Sequence, residues 1–254
     1  MTESVKPVIV DGPSKAELFE RLELLVGDIS GEGAKSKKRR LILDHATRLF
    51  VEQGYRKTSM GEVAKAAGMA KGTVYLYYAN KSALMMACIC REKLQTFTAF
   101  AKLFDEAVPA RERLRWFVET ALLMVQQMPL THRLVQGDEE MAAVIADMPP
   151  ELMLQSENDG RVMFAGLLRE SIAPARLPEH DIMRRVQVLR SLPYMASHVP
   201  YEHVRGELSQ RDYASALADT LVTGLIESAR RYAASMEDAA NKLPAEPSTE
   251  ETGT

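Results

Sequence analysis

Three residues, Gly68 to Ala70, separate two short stretches of helical periodicity, and a break that short requires the two helices to pack against each other. The first stretch opens at Ser59, with Glu62 three residues on in capping-box spacing, and places Met60, Val63, Ala64 and Ala67 on its apolar side. The second runs from Lys71 to Tyr78. Across the break Ala64, Gly68 and Val74 stand in the arrangement A-x3-G-x5-V. A small residue is needed where the second helix crosses the first, glycine permits the tight turn, and valine packs one helix onto the other. The expected unit is a helix-turn-helix.

Helical patterns flank it on both sides. Ile42, Ala46, Leu49 and Phe50 mark one face of a helix ending at Gly54, and Asn80 is placed to cap a longer one through Leu84, Cys88, Leu94 and Phe97. Further on, Pro109, Pro129, Pro149, Pro150, Pro174, Pro178, Pro193 and Pro200 separate segments of helical periodicity, and no run alternates as a strand does. The expected fold class is all-α. The last helix, about Gln210 to Met236, carries Tyr213, Leu217, Leu221 and Leu225 in one row with Ala214, Ala218 and Val222 beside it, a stripe suited to a helix–helix contact and hence a candidate dimer interface. Residues 1–34 are expected as a mostly flexible extension with one short helix from Ser14 to Val26, 35–83 as the helix-turn-helix domain, 84–238 as a larger helical domain and 239–254 as a disordered tail.

Charge is unevenly divided. Between Lys35 and Ala83 eleven Lys and Arg face only Asp44, Glu52 and Glu62, a local charge of +8 in a chain of net charge −3. Such a concentration of cations is the footprint of a polyanion-binding surface, or else a solvated face. KSKKRR at 35–40 is free to act as a flexible basic arm in a minor groove, with a plain solvated charge run as the alternative.

Other classes lack residues to support them. No apolar run is long enough to span a bilayer, and the N-terminus has no basic region followed by an apolar core, so neither a membrane protein nor a secreted one is expected and the location is expected to be cytoplasmic. Cys88 and Cys90 lie two apart on a helix and cannot bridge. His198, Glu202 and His203 have the wrong spacing for H-E-x-x-H, with Pro200 between them. No metal, no cofactor and no catalytic constellation is expected.

The stretch RRLILDHATRLFVEQGYRKTSMGEVAKAAGMAKGTVYLYYANKSAL resembles the DNA-binding domain of TetR-type (tetracycline-repressor-like) transcriptional regulators over about 45 residues. It shares A-x-x-L-F-x-x-x-G-Y, the T-S helix start, the A-K-A-A-G turn and K-G-T-V-Y-x-Y-Y-x-N-K. The resemblance implies a recognition helix in the major groove of double-stranded DNA, with Lys71, Gly72, Thr73 and Tyr75 near base edges. It implies phosphate contacts from Thr58, Ser59, Tyr77 and Lys81. Ala70 departs from the family pattern, where a serine or similar donor is common. Tyr78, four residues after Val74, is expected in the core. The remaining helices are implied to form a domain that dimerises and encloses a small-molecule pocket.

Fourteen methionines give that pocket a candidate composition. Met124, Met128, Met153 and Met163, with Trp116, Phe117 and Phe164, would line an adaptable apolar cavity, or else a plain helical core. The expected function is a homodimeric, DNA-binding regulator, a repressor whose affinity for a palindromic operator falls when an apolar or amphipathic effector binds. The alternative is a helical interaction protein whose basic segment binds an acidic partner.

Overall fold

Ser14 starts the first helix of the computed structural model, which describes residues 13–124, 127–147, 150–197 and 205–241. Its hydroxyl accepts from the Glu17 amide while the Glu17 carboxylate accepts from the Ser14 amide, so α1 (Lys15–Val26) carries a complete capping box. Leu22 and Leu25 turn toward the protein and Val26 is buried. Gly27 ends the helix at φ 75°, and a Cβ there would lie 2.6 Å from the Arg39 guanidinium carbon. The left-handed backbone favours glycine, and any larger residue would also have to displace the Arg39 guanidinium.

The segment after Gly27 is held by side chains. Asp28 accepts from the Ser30 and Gly31 amides and the Ser36 hydroxyl, while Arg40 donates to the carbonyls of Ile29 at 2.5 Å and Gly31 at 2.9 Å. KSKKRR is therefore not a flexible arm: it forms the first turns of α2 (Ala34–Gln53), and its two arginines anchor the preceding loop.

Next come α3 (Met60–Ala66), α4 (Lys71–Tyr77) and α5 (Lys81–Thr96). Ser59 and Glu62 make the expected capping box, Gly68 turns at φ 66°, and Asn80 accepts from the Ala83 amide to cap α5. Ala64, Val74 and Tyr78 are buried together with Ile42, Leu43, Phe50 and Leu84 in one core. Cys88 and Cys90 are free, buried thiols of that core, and burial pushes the Cys88 thiol up to about 12.

A 3₁₀ segment (Phe97–Phe104) leads to α6 (Ala110–Met124), α7 (Pro129–Val135), α8 (Glu139–Ala146), α9 (Pro150–Ile172), α10 (Glu179–Ser197) and α11 (Gln210–Asn241). Prolines punctuate this half as expected at Pro109, Pro129, Pro150, Pro174 and Pro178; Pro193 instead lies within α10, one turn from its end, where a missing amide removes a single helical hydrogen bond. α6, α9, α10 and α11 enclose a second core around Leu114, Leu168, Val186 and Ile226. Ala214, Ala218, Val222, Ile226 and Ala229 form the fully buried row of α11, whereas Leu217, Leu221 and Leu225 are half-buried against the same core. α11 also continues through residues 239–241, which the charged composition had placed in a disordered tail; residues 242–254, together with Pro149, His198, Pro200, Glu202 and His203, lie outside the described residues.

α7 and α8 are bonded to the helices of the first core, and an ion pair ties α9 to α1. Leu130, Met141 and Val144, from α7 and α8, belong to the first core rather than the second. Buried Glu92 on α5 accepts from the Leu130 amide at 3.0 Å and from the amide and hydroxyl of Thr131 at 2.9 Å, satisfying the free donors at the start of α7. Burial raises the carboxyl of Glu92 above its ordinary range, and these donors offset only part of the rise. Glu140 on α8 accepts from the Tyr55 amide at 2.7 Å, and Arg21 on α1 pairs with Asp159 on α9.

Candidate nucleic-acid interface

α4 is seven residues long and buries one side chain fully, Val74. Its position is fixed from below by Val74 and by Tyr78, whose hydroxyl donates to the Val26 carbonyl at 3.0 Å. Burial raises the phenol of Tyr78 well above its ordinary range, against the opposing pull of the Arg39 guanidinium, so the residue stays a neutral donor. The opposite side of α4 is open: Lys71, Gly72, Tyr75 and Leu76 are exposed. Lys71 places its ammonium 5.9 Å from the centre of the Tyr75 ring, one turn apart on that side.

Leu76 is 86% exposed, the highest value for a large hydrophobic side chain among the described residues. Nothing in the periodicity of K-G-T-V-Y-L-Y distinguished it from a packing residue. A Cβ added to Gly72 would meet nothing within 4 Å, and its φ is not in the left-handed region. No neighbour inside the chain therefore demands glycine at this exposed helical site, where glycine costs about 1 kcal/mol relative to alanine.

The remaining candidates divide. Thr73 and Tyr77 are half-buried, and the Arg39 guanidinium stands 5.3 Å from the centre of the Tyr77 ring. Ser59 is exposed and keeps its hydroxyl proton beyond the cap that it forms. Thr58 differs from expectation: it is 1% exposed, and its hydroxyl donates to the carbonyls of Gly54 at 2.8 Å and Leu49 at 3.2 Å, closing the end of α2. Lys81 also turns inward, donating to the Tyr55 carbonyl at 2.8 Å with its ammonium 4.3 Å from the Tyr55 ring centre. Both groups are engaged within the chain at the points where a phosphate contact was expected. Ala70, at the cap position of α4, supplies no side-chain hydrogen bond. Exposed Arg56, Lys57, Lys65 and Lys71 carry the positive charge around α3 and α4.

Residues 42–88, which hold this arrangement, match the family model described as bacterial regulatory proteins, tetR family. The regulator AcrR of Shigella flexneri is 52% identical over 46 residues, 18% of this chain and 21% of that protein. Residues 42–88 therefore carry the DNA-binding region typical of tetR-family regulators. A TetR-like transcriptional regulator from Rhodococcus sp. RHA1 has the same fold at 25% identity and a TM-score of 0.52, covering 73% of this chain and 93% of its own. AibR, solved in complex with isovaleryl coenzyme A and operator DNA, shares the fold at 19% identity and a TM-score of 0.52, over 73% of this chain and 98% of its own. The chain spans between 21% and 44% of the length of curated relatives that it matches in Bacillus subtilis and Mycobacterium tuberculosis.

The candidate effector residues are brought together only in part. Trp116 and Phe117 both meet Phe100, and Phe117 packs on Phe164 with ring centres 4.7 Å apart. Met163 is packed against the same core, and Met124 is half-buried at the end of α6. Met128 lies elsewhere, buried at the α5–α7 junction, where its sulfur accepts from the Thr96 hydroxyl at 3.3 Å. The side chain of Met153 is outside the described residues. Between Phe117, Val118, Ala121, Leu122 and Leu192 there is a narrow crevice with no room for a water molecule. No described helix is long and apolar enough to cross a membrane.

Proposed function

We propose that this chain is a sequence-specific, homodimeric DNA-binding transcriptional regulator, a repressor whose operator affinity falls when an apolar or amphipathic effector binds. The observation that carries the reading is Gly72: an exposed helical glycine with open space where its Cβ would be, on a helix held from behind by Val74 and Tyr78. A surface that leaves room for another backbone to approach, between Lys71 and Tyr75, suits entry into a major groove. Lys71, Gly72, Thr73 and Tyr75 would meet base edges, and exposed Leu76 would suit a thymine methyl. Ser59 and Tyr77 would serve phosphates.

Two copies of α4 related by a two-fold axis would read a palindrome. The row Tyr213, Leu217, Leu221 and Leu225 remains the candidate for the contact between copies, with its leucines shared between that contact and their own core. An effector entering beside Phe117 and Phe164 would have to part α6 from α9 and α10, and that movement is a route to a changed separation of the recognition helices. AibR's complex with an acyl thioester and operator supports an amphipathic class of effector.

Fluorescence anisotropy on duplexes selected from a random pool tests the reading. Affinity should depend on sequence, survive heparin competition and fall steeply with salt. Equal binding to all duplexes, abolished by heparin, would favour an acidic protein partner instead.

A further inference from the structure

We propose that the cleft between α1 and the end of the recognition helix is a binding site for a small anionic amphipath, a carboxylate bearing a short apolar chain. The cleft has a volume of about 380 Å³, within the range of small-molecule pockets. α1 contributes Leu24 and Leu25, α2 contributes Arg39, α4 contributes Tyr77, and α5 contributes Ala83 and Met86. Asn80, Ser82 and Asp147 add polar groups at the border, and the apolar wall from Leu24, Leu25 and Met86 beside the single cation, Arg39, is the complement of a fatty carboxylate.

Arg39 supplies the charge. Its Nη1 donates to the Asp28 carbonyl at 3.0 Å, but its Nε is buried without a hydrogen-bond partner, and among the described residues no carboxylate lies within ion-pairing distance of it. A guanidinium presents five donors in a planar fork suited to carboxylate, so a half-buried one that meets the Asp28 carbonyl, the Tyr78 hydroxyl and the Tyr77 ring face, with no carboxylate partner, retains capacity for an anion. Asp147, the carboxylate that borders the cleft, is exposed to solvent rather than paired with Arg39. Leu24 is 76% exposed, an apolar side chain at the cleft that a ligand's chain would cover. The crevice beside Phe117 in the second core, by contrast, has no room for a water molecule.

Position gives the site its interest. One side of the cleft is α1, before the family-matched residues 42–88, and the other is Tyr77 and Tyr78 at the end of α4. A ligand there touches both partners of the Tyr78–Val26 bond, so occupancy bears directly on how α4 is held. The binding claim stands apart from the DNA-binding reading; only its effect on operator affinity rests on it.

The test is a titration of the full chain, carrying ¹³C-methyl methionine, with sodium decanoate and separately with 1-decanol. The Met86 methyl resonance should shift saturably with decanoate, and decanol should bind at least tenfold more weakly. Ala83→Trp, at an exposed position that borders the cleft without entering the core, and Arg39→Gln should each weaken decanoate binding at least tenfold. Because Arg39 also anchors the Asp28 loop, Ala83→Trp is the deciding variant. An unmoved Met86 signal, a shift that persists in Ala83→Trp, equal binding of decanol, or shifts confined to Met124 and Met163 would each overturn the proposal.

Discussion

The Tyr78 hydroxyl donates to the Val26 carbonyl across 52 positions of sequence, so the residue that closes the recognition helix is bonded to the last turn of α1. Replacing Tyr78 with phenylalanine keeps the ring in the core and leaves the Val26 carbonyl without that donor. The expected cost is about 1 to 3 kcal/mol of stability, the penalty for an unsatisfied buried polar group. Urea denaturation checks it, and unchanged stability would mean that α1 does not brace the helix-turn-helix.

Gly72→Ala separates folding from binding. Alanine should stabilise α4 by up to about 1 kcal/mol, since nothing inside the chain obstructs its methyl group. DNA affinity should fall all the same, because the added methyl stands where another backbone would approach. Thermal melting and anisotropy on the same sample should move in opposite directions.

Tyr75 and Lys81 should differ in kind. Tyr75 is 44% exposed, and Tyr75→Ala should relax base preference at a cost of about 1 to 3 kcal/mol in binding with stability unchanged. Lys81→Met removes the donor to the Tyr55 carbonyl, so it should lower stability while leaving the salt dependence of DNA binding close to that of the parent chain. Binding titrations at several salt concentrations, paired with melting curves, distinguish the two.

Glu92→Ala strips the start of α7 of its acceptor. The amides of Leu130 and Thr131 are then left buried without partners, at about 1 to 3 kcal/mol, and hydrogen exchange should accelerate first in α7. Uniform acceleration over the whole chain would show that Glu92 is not a local cap.

The helix-turn-helix was legible in sequence because its signals are local. Ser59 and Glu62, Gly68 and Asn80 act within four residues of their own positions, and the structure uses each as its spacing implied. Ser14 and Glu17 carried the same box, so the start of α1 was equally open to reading. What α1 packs against was not, since the Tyr78–Val26 and Arg21–Asp159 links join residues far apart in the chain. Thr58 and Lys81 have the residue types of a phosphate site, and only the placement of the Gly54 and Tyr55 carbonyls turns them inward. Arg39 and Arg40 read as part of a charge run for the same reason: a carbonyl acceptor leaves no mark in composition.

Footprinting of the full chain on a duplex recovered by selection tests the central claim most directly. The account predicts protection of an inverted repeat, with half-sites in successive major grooves and the pattern lost in Tyr75→Ala. A single asymmetric protected site occupied by one copy, or uniform protection with no sequence boundary, would contradict it.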